Sequence, residues 1–166
     1  MTTDTSEKGL ETLIVRHLTG GDGLAVVPDL AAEAAMPQGG IGYRAGSPKD
    51  FDRANAIDVP QLLAFLRKTQ PEAFEKLALG DFKDKANINR IKFLARLSSE
   101  VGKRGVIDVL RKGVEHHPAG HFDLFYGTPS EGNAKAAALH AENRFSITRQ
   151  LAYSMDESRR ALDLGL

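Results

Sequence analysis

Apolar residues recur at helical spacing at Leu10, Leu13, Ile14 and Leu18. The pattern predicts a helix from an N-cap at Ser6 to about Leu18, with those four side chains on its buried face. Met1–Thr5 reads as a frayed tail, and Gly20, Gly21 and Gly23 end the helix. Leu24–Val27 suits a short strand or an extended segment. Ala31–Ala56 has no clear period and is rich in glycine, so it reads mostly as a long loop.

A helical block follows, over about 58–113. Asp58 caps a helix with Pro60 in its first turn and Leu62, Leu63, Phe65 and Leu66 on the inner side. Pro71 opens a second helix that carries Phe74 and Leu77 and closes at Gly80. Ile88, Ile91, Leu94, Leu97 and Val101 form an apolar stripe, which predicts a helix from Asn87 to Lys103. Val106–Lys112 is one more, between Gly105 and Gly113.

The period then changes. His121–Tyr126 alternates like a strand, and the alanine-rich Pro129–Asn143 reads as a helix. Phe145, Ile147, Leu151 and Tyr153 alternate with Ser146, Thr148 and Gln150, as on a half-buried strand. Met155–Ser158 makes a turn. Arg160–Leu166 alternates again, with Leu162, Leu164 and Leu166 on one face and Asp163 on the other. Together these elements predict an α/β (α+β) domain, helix-rich with a small mixed or antiparallel sheet.

Composition narrows the chemistry. In 166 residues there are 22 Lys plus Arg and 22 Asp plus Glu, so nucleic-acid binding would need a local basic stripe rather than overall charge. Arg144, Arg149, Arg159 and Arg160 form such a stripe. No cysteine is present, which excludes disulfides, thiolate nucleophiles and cysteine-based zinc sites. No apolar run reaches the roughly 18 residues of a membrane span, and the first fifteen residues lack an apolar signal core, so the expected compartment is the cytoplasm.

The glycines of Gly39–Gly46 lack the Gly-Lys-Ser/Thr ending of a phosphate-binding loop and read as turn residues. His116, His117 and His121 are broken up by Pro118 and Gly120 and read as structural or surface histidines. Glu11 is a boundary carboxylate at the edge of the first helix's apolar face. Asp163 sits in mid-strand, where Asp is disfavoured. It is either a solvated outer-face residue or a rigidly held ligand for a hard cation such as Mg²⁺.

Several stretches are similar to the start of the R subunits of type I restriction enzymes. They are Thr5–Glu11 (TSEKGLE), Gly46–Arg53 (GSPKDFDR), Asn89–Leu97 (NRIKFLARL), His121–Pro129 (HFDLFYGTP), Asn143–Leu151 (NRFSITRQL) and Ala161–Leu164 (ALDL). They span nearly the whole chain in the family's order. The resemblance implies the leading part of a PD-(D/E)xK nuclease-like fold, with residues about 58–113 as a helical insertion. It implies Asp163 and Glu11 as catalytic metal ligands for Mg²⁺, and Arg144, Arg149 and Gln150 at the DNA. In the family a Glu-x-Lys strand follows the strand of Asp163, and ATP-driven translocase domains follow that. The sequence ends three residues after Asp163, in mid-strand, so ATP would bind in domains outside it and this chain alone is expected to be inactive. The partners implied are double-stranded DNA and the methyltransferase (M) and specificity (S) subunits. An exposed edge on the last strand would also allow self-association.

Two other functions compete with a nuclease fragment. One is a non-catalytic module that binds DNA or docks onto partner subunits, for which the large helical block speaks. The other is a stand-alone regulator of shared ancestry.

Overall fold

The computed structural model describes residues 7–21, 42–81, 83–84, 86–152 and 161–165, without the side chains of 7–8, 150–152 and 161–164. The expected tail, the N-cap at Ser6, the extended segment Leu24–Val27 and the turn Met155–Ser158 lie outside the described residues. So does the part of the expected loop that precedes residue 42.

In chain order the elements begin with α1 (Glu7–Thr19), β1 (Tyr43–Ala45), β2 (Phe51–Asp52), β3 (Ile57–Asp58), α2 (Val59–Thr69) and α3 (Pro71–Lys76). They continue with α4 (Ile88–Arg104), α5 (Val106–Lys112), β4 (Val114–His116), β5 (Gly120–Phe122), α6 (Ala134–Ala141), β6 (Phe145–Ala152) and β7 (Ala161–Gly165). The chain is a helix-rich α/β protein with small sheets that mix parallel and antiparallel pairing. It divides into two compact units, one of Met1–Gln61 with Arg144–Leu166, the other of Leu62–Asn143.

The first unit is built on a three-stranded sheet of order β1-β6-β7. β1 runs parallel to β6, with Tyr43 opposite Phe145 and Ala45 opposite Ile147, and Gly46 extends the ladder by donating to the Ile147 carbonyl at 2.9 Å. β7 is antiparallel to β6, with Leu164 opposite Arg149 and Leu162 opposite Leu151. Three short strands thus occupy Ala31–Ala56 and its border, where the pattern suggested a loop. Parallel β1 finds its partner about a hundred residues away, so no local turn announces it. β2 and β3 form a small antiparallel hairpin whose turn Asp52 organises, accepting from the Ala54 amide at 2.9 Å.

Helix α1 corrects the expected buried face. Leu10 and Leu13 are 59% and 49% exposed and Ile14 is exposed as well, while Glu11, Val15 and Thr19 are buried. The packed stripe i, i+4, i+8 from Glu11 is rotated from the apolar stripe by about a quarter turn or more, at ~100° per residue. Thr19 stays on the buried side because its hydroxyl donates to the Val15 carbonyl at 2.8 Å.

The second unit has its own core, with Leu63, Phe65, Leu66, Phe74, Leu77, Leu79, Phe93, Leu94, Leu97, Val109, Val114 and Phe122 buried. Phe93 and Phe122 pack with tilted rings 4.8 Å apart between centroids, and His116 meets the Phe93 ring edge-on at 5.6 Å. α4 starts where expected, capped by Asn87, which accepts from the Arg90 amide at 2.9 Å. Its buried face differs from the expected stripe: Ile88 (66%) and Ile91 are exposed, and Arg90 turns inward to donate to the Asp81 carbonyl. The predicted strand His121–Tyr126 is shorter, Gly120–Phe122, and pairs with a strand the pattern missed, Val114–His116. Gly113 permits that hairpin, since a Cβ there would lie 2.3 Å from the Phe122 carbonyl oxygen. After β5 the chain is pinned by two side-chain amides acting as strand mimics. Gln70 exchanges two bonds with the Asp123 backbone, at 2.8 and 2.9 Å. Asn143 does the same with Tyr126, at 2.7 and 3.0 Å. The alanine-rich helix is confined to Ala134–Ala141, capped by Asn133, after a turn in which Gly132 takes φ 79°.

Candidate functional site

Strand β6 carries two rows of positions. Ile147 and Arg149 alternate with Ser146 and Thr148, and both Ile147 and Thr148 are buried, so the strand is covered on both faces.

On the first row, Arg149 Nε donates to Glu11 Oε1 at 2.8 Å. Glu11 is 5% exposed, so this ion pair is largely removed from water. It ties α1 to β6, and it brings together two residues that the family resemblance assigns to different tasks. A cation at Glu11 would have to displace a guanidinium from a buried carboxylate. Among the described residues no group of three or more His, Asp or Glu side chains is placed to hold a metal ion. As it stands, Glu11 serves Arg149.

Asp163 lies on β7 between Leu162 and Leu164, in the alternate row of register positions, that of Gly165 and its partner Thr148. The side chains of Asp163 and Gln150 lie outside the described residues.

The second row opens onto a cavity of about 260 Å³. Tyr43, Asp58, Arg144, Phe145, Ser146 and Thr148 are among its walls, with Gly165 from β7. Each polar group has a local origin. Asp58 ends β3 and caps α2, accepting from the Gln61 amide at 3.3 Å as the sequence pattern predicts for an N-cap. Its second oxygen accepts from Ser146 Oγ at 3.3 Å. Burial raises the Asp58 carboxyl above its ordinary 3.8; the bonds from Gln61 and Ser146 oppose this and the Asp50 charge adds to it. Thr148 presses against Gly46, where a Cβ would lie 2.2 Å from its hydroxyl oxygen. Tyr43 and Phe145, opposite each other in the parallel register, meet with their rings tilted at 36° and centroids 5.5 Å apart.

Of the residues singled out in the sequence, the structure therefore joins Glu11 to Arg149 and sets Arg144 at the cavity. Asp58, Ser146, Thr148 and Tyr43 were missed as site residues. Asp58 reads as a helix cap, which it is, and Ser146 and Thr148 read as a solvated strand face. What discloses them is Gly46: a glycine before Ser-Pro is legible as a turn, but its close approach to Thr148 depends on a long-range pairing.

The histidines behave as structural groups. His116 packs on Phe93, and burial lowers its pKa from 6.5, with the Arg96 and His117 charges adding to the effect. His121 bridges Glu115 at 2.7 Å and Asp123 at 3.4 Å on an exposed surface. Among the described residues no helix is long and apolar enough to cross a membrane. Comparison with known protein families, with characterised proteins and with solved structures finds no match to this chain.

Proposed function

We propose that the chain is the leading part of the nuclease domain of a type I restriction enzyme R subunit, whose parent cleaves double-stranded DNA in an ATP- and Mg²⁺-dependent way. What carries the reading is one arrangement. An early helix packs on a small mixed sheet whose edge strand bears Asp163, with no strand on the far side of β7 among the described residues. That is the order in which a PD-(D/E)xK fold presents its first carboxylate, and the side of β7 away from β6 is where a Glu-x-Lys strand would pair. A metal there would acidify the attacking water and shield developing phosphate charge. The chain's own contribution is to hold Asp163 on a strand fixed by β6, which α1 anchors through Glu11 and Arg149. The helical unit Leu62–Asn143 is then the surface that would meet the M and S subunits.

The Glu11–Arg149 pair favours a second reading, a non-catalytic module that binds DNA or docks onto partner subunits, because it withdraws one of the two expected metal ligands. The reading frame downstream of Leu166 separates the two. The first predicts Glu-x-Lys within the next strand and translocase motifs beyond it; a stop codon directly after Leu166 would leave the docking module.

A further inference from the structure

Helices α4 and α5 carry a charged face that lies within the second unit, away from Asp163 in the chain. Glu100 receives Arg96 at 3.2 Å, Lys103 at 3.8 Å and Arg104 at 2.9 Å. Arg104 also reaches Asp108 at 2.9 Å, and Asp108 takes Lys112 at 2.6 Å. One continuous run of ion pairs thus joins the two helices and puts these cations on a shared surface. Arg104 fixes it further by donating to the Gly113 carbonyl at 2.8 Å.

The carboxylates lie low and the cations stand out. The Glu100 side chain is 13% exposed, against 44% and 64% for Arg96 and Lys103. Asp108 is 29% exposed and Lys112 69%. Exposed pairs of this kind hold little energy, so the cations exchange a carboxylate for another anion at small cost. Lys92, one turn before Arg96, and Arg111, three residues after Asp108, extend the face. Both are exposed and have no ion-pair partner among the described residues. Six cations less two carboxylates leave +4 on this face, in a chain whose net charge is zero. Such a surplus attracts a partner of dense negative charge.

Its geometry favours the duplex backbone. Lys92 and Lys103 share one side of α4, about 16 Å apart along its axis. That exceeds the roughly 12 Å width of the major groove, so the two ends reach phosphates of both bordering strands. Phe93, the one aromatic residue in the two helices, is buried, which leaves no ring for stacking unpaired bases. Half of the cations are lysines, which protein–protein interfaces disfavour. Val106 and Leu110, exposed on α5, lie about 160° round the helix from Asp108 and do not interrupt the cations.

We propose that the α4–α5 face binds the phosphate backbone of double-stranded DNA without regard to sequence. The inference takes DNA rather than RNA from the proposed function and rests on it in nothing else.

Fluorescence anisotropy of a labelled 20-base-pair duplex with the 166-residue chain tests it, in potassium chloride from 50 to 200 mM. Log affinity should fall linearly with log salt. Lys92→Gln and Arg111→Gln break no ion pair. Each should make that slope shallower by about 0.9 and weaken binding at low salt by roughly tenfold, with an unchanged thermal melt. Lys49→Gln removes the same charge from an exposed position in the first unit and should leave both quantities unchanged. No binding at 50 mM salt, parent-like binding by both α4–α5 variants, or an equal loss in Lys49→Gln would overturn the assignment. So would tighter binding of single-stranded DNA or of an RNA duplex, or displacement of the duplex by polyglutamate at equal charge, which would make the face a site for an acidic protein. None of these readouts involves cleavage: a stop codon after Leu166 would remove the nuclease reading and leave the result standing.

Discussion

Glu11 and Arg149, 138 residues apart in the chain, meet at 2.8 Å in a largely buried ion pair that fastens the first helix to the central strand. Removing Arg149 takes the guanidinium from a carboxylate only 5% exposed, which costs about 3–5 kcal/mol. Replacing both by apolar residues of similar volume removes that penalty. Glu11→Ala or Arg149→Ala should therefore lower the urea midpoint far more than the double variant Glu11→Met, Arg149→Leu does. Strictly additive effects would show that the pair does not couple.

Gly46→Ala places a Cβ 2.2 Å from the Thr148 hydroxyl oxygen. The overlap should cost on the order of 1–3 kcal/mol, the usual range for overpacking. Adding Thr148→Ala removes the colliding atom, so the double variant should be less destabilised than the sum of the singles. A Gly46→Ala protein as stable as the parent would contradict the parallel β1–β6 register.

The raised pKa of Asp58 makes a signed prediction. The fold favours its neutral form, so that contribution to stability is complete below about 3.8 and is lost as pH rises through the higher folded value. Asp58→Asn, which cannot ionise, should flatten this part of the stability profile measured by urea unfolding between pH 3 and 7. An unchanged profile would show that burial does not govern the group.

Much of the second unit was legible because its signals are local. Asn87 before an amphipathic run, Pro71 at a helix start and Gly113 at a helix end each act within a few residues. The strands β6 and β7 were legible from their period of two. What escaped depends on distant partners. β1 is three residues long and parallel to a strand about a hundred positions on, and the buried face of α1 is chosen by Arg149 rather than by its leucines. Arg90 in the core of α4 follows the same rule, since the Asp81 carbonyl that receives it is not visible in a hydropathy pattern.

The 166-residue chain by itself should leave supercoiled plasmid intact with Mg²⁺, with or without ATP. No Glu-x-Lys follows Asp163 in its sequence, and no phosphate-binding loop is present. Nicking that survives repurification and vanishes in Asp163→Ala would show a complete site.

The central claim is that Asp163 belongs to a nuclease centre. Its most direct test is plasmid cleavage by the full R subunit, assembled with its M and S subunits, carrying Asp163→Ala. Cleavage should fall by about 10⁴-fold or more, as when one member of a catalytic unit is lost, while DNA-stimulated ATP hydrolysis continues at the parent rate. Cleavage at the parent rate in that variant would contradict the account.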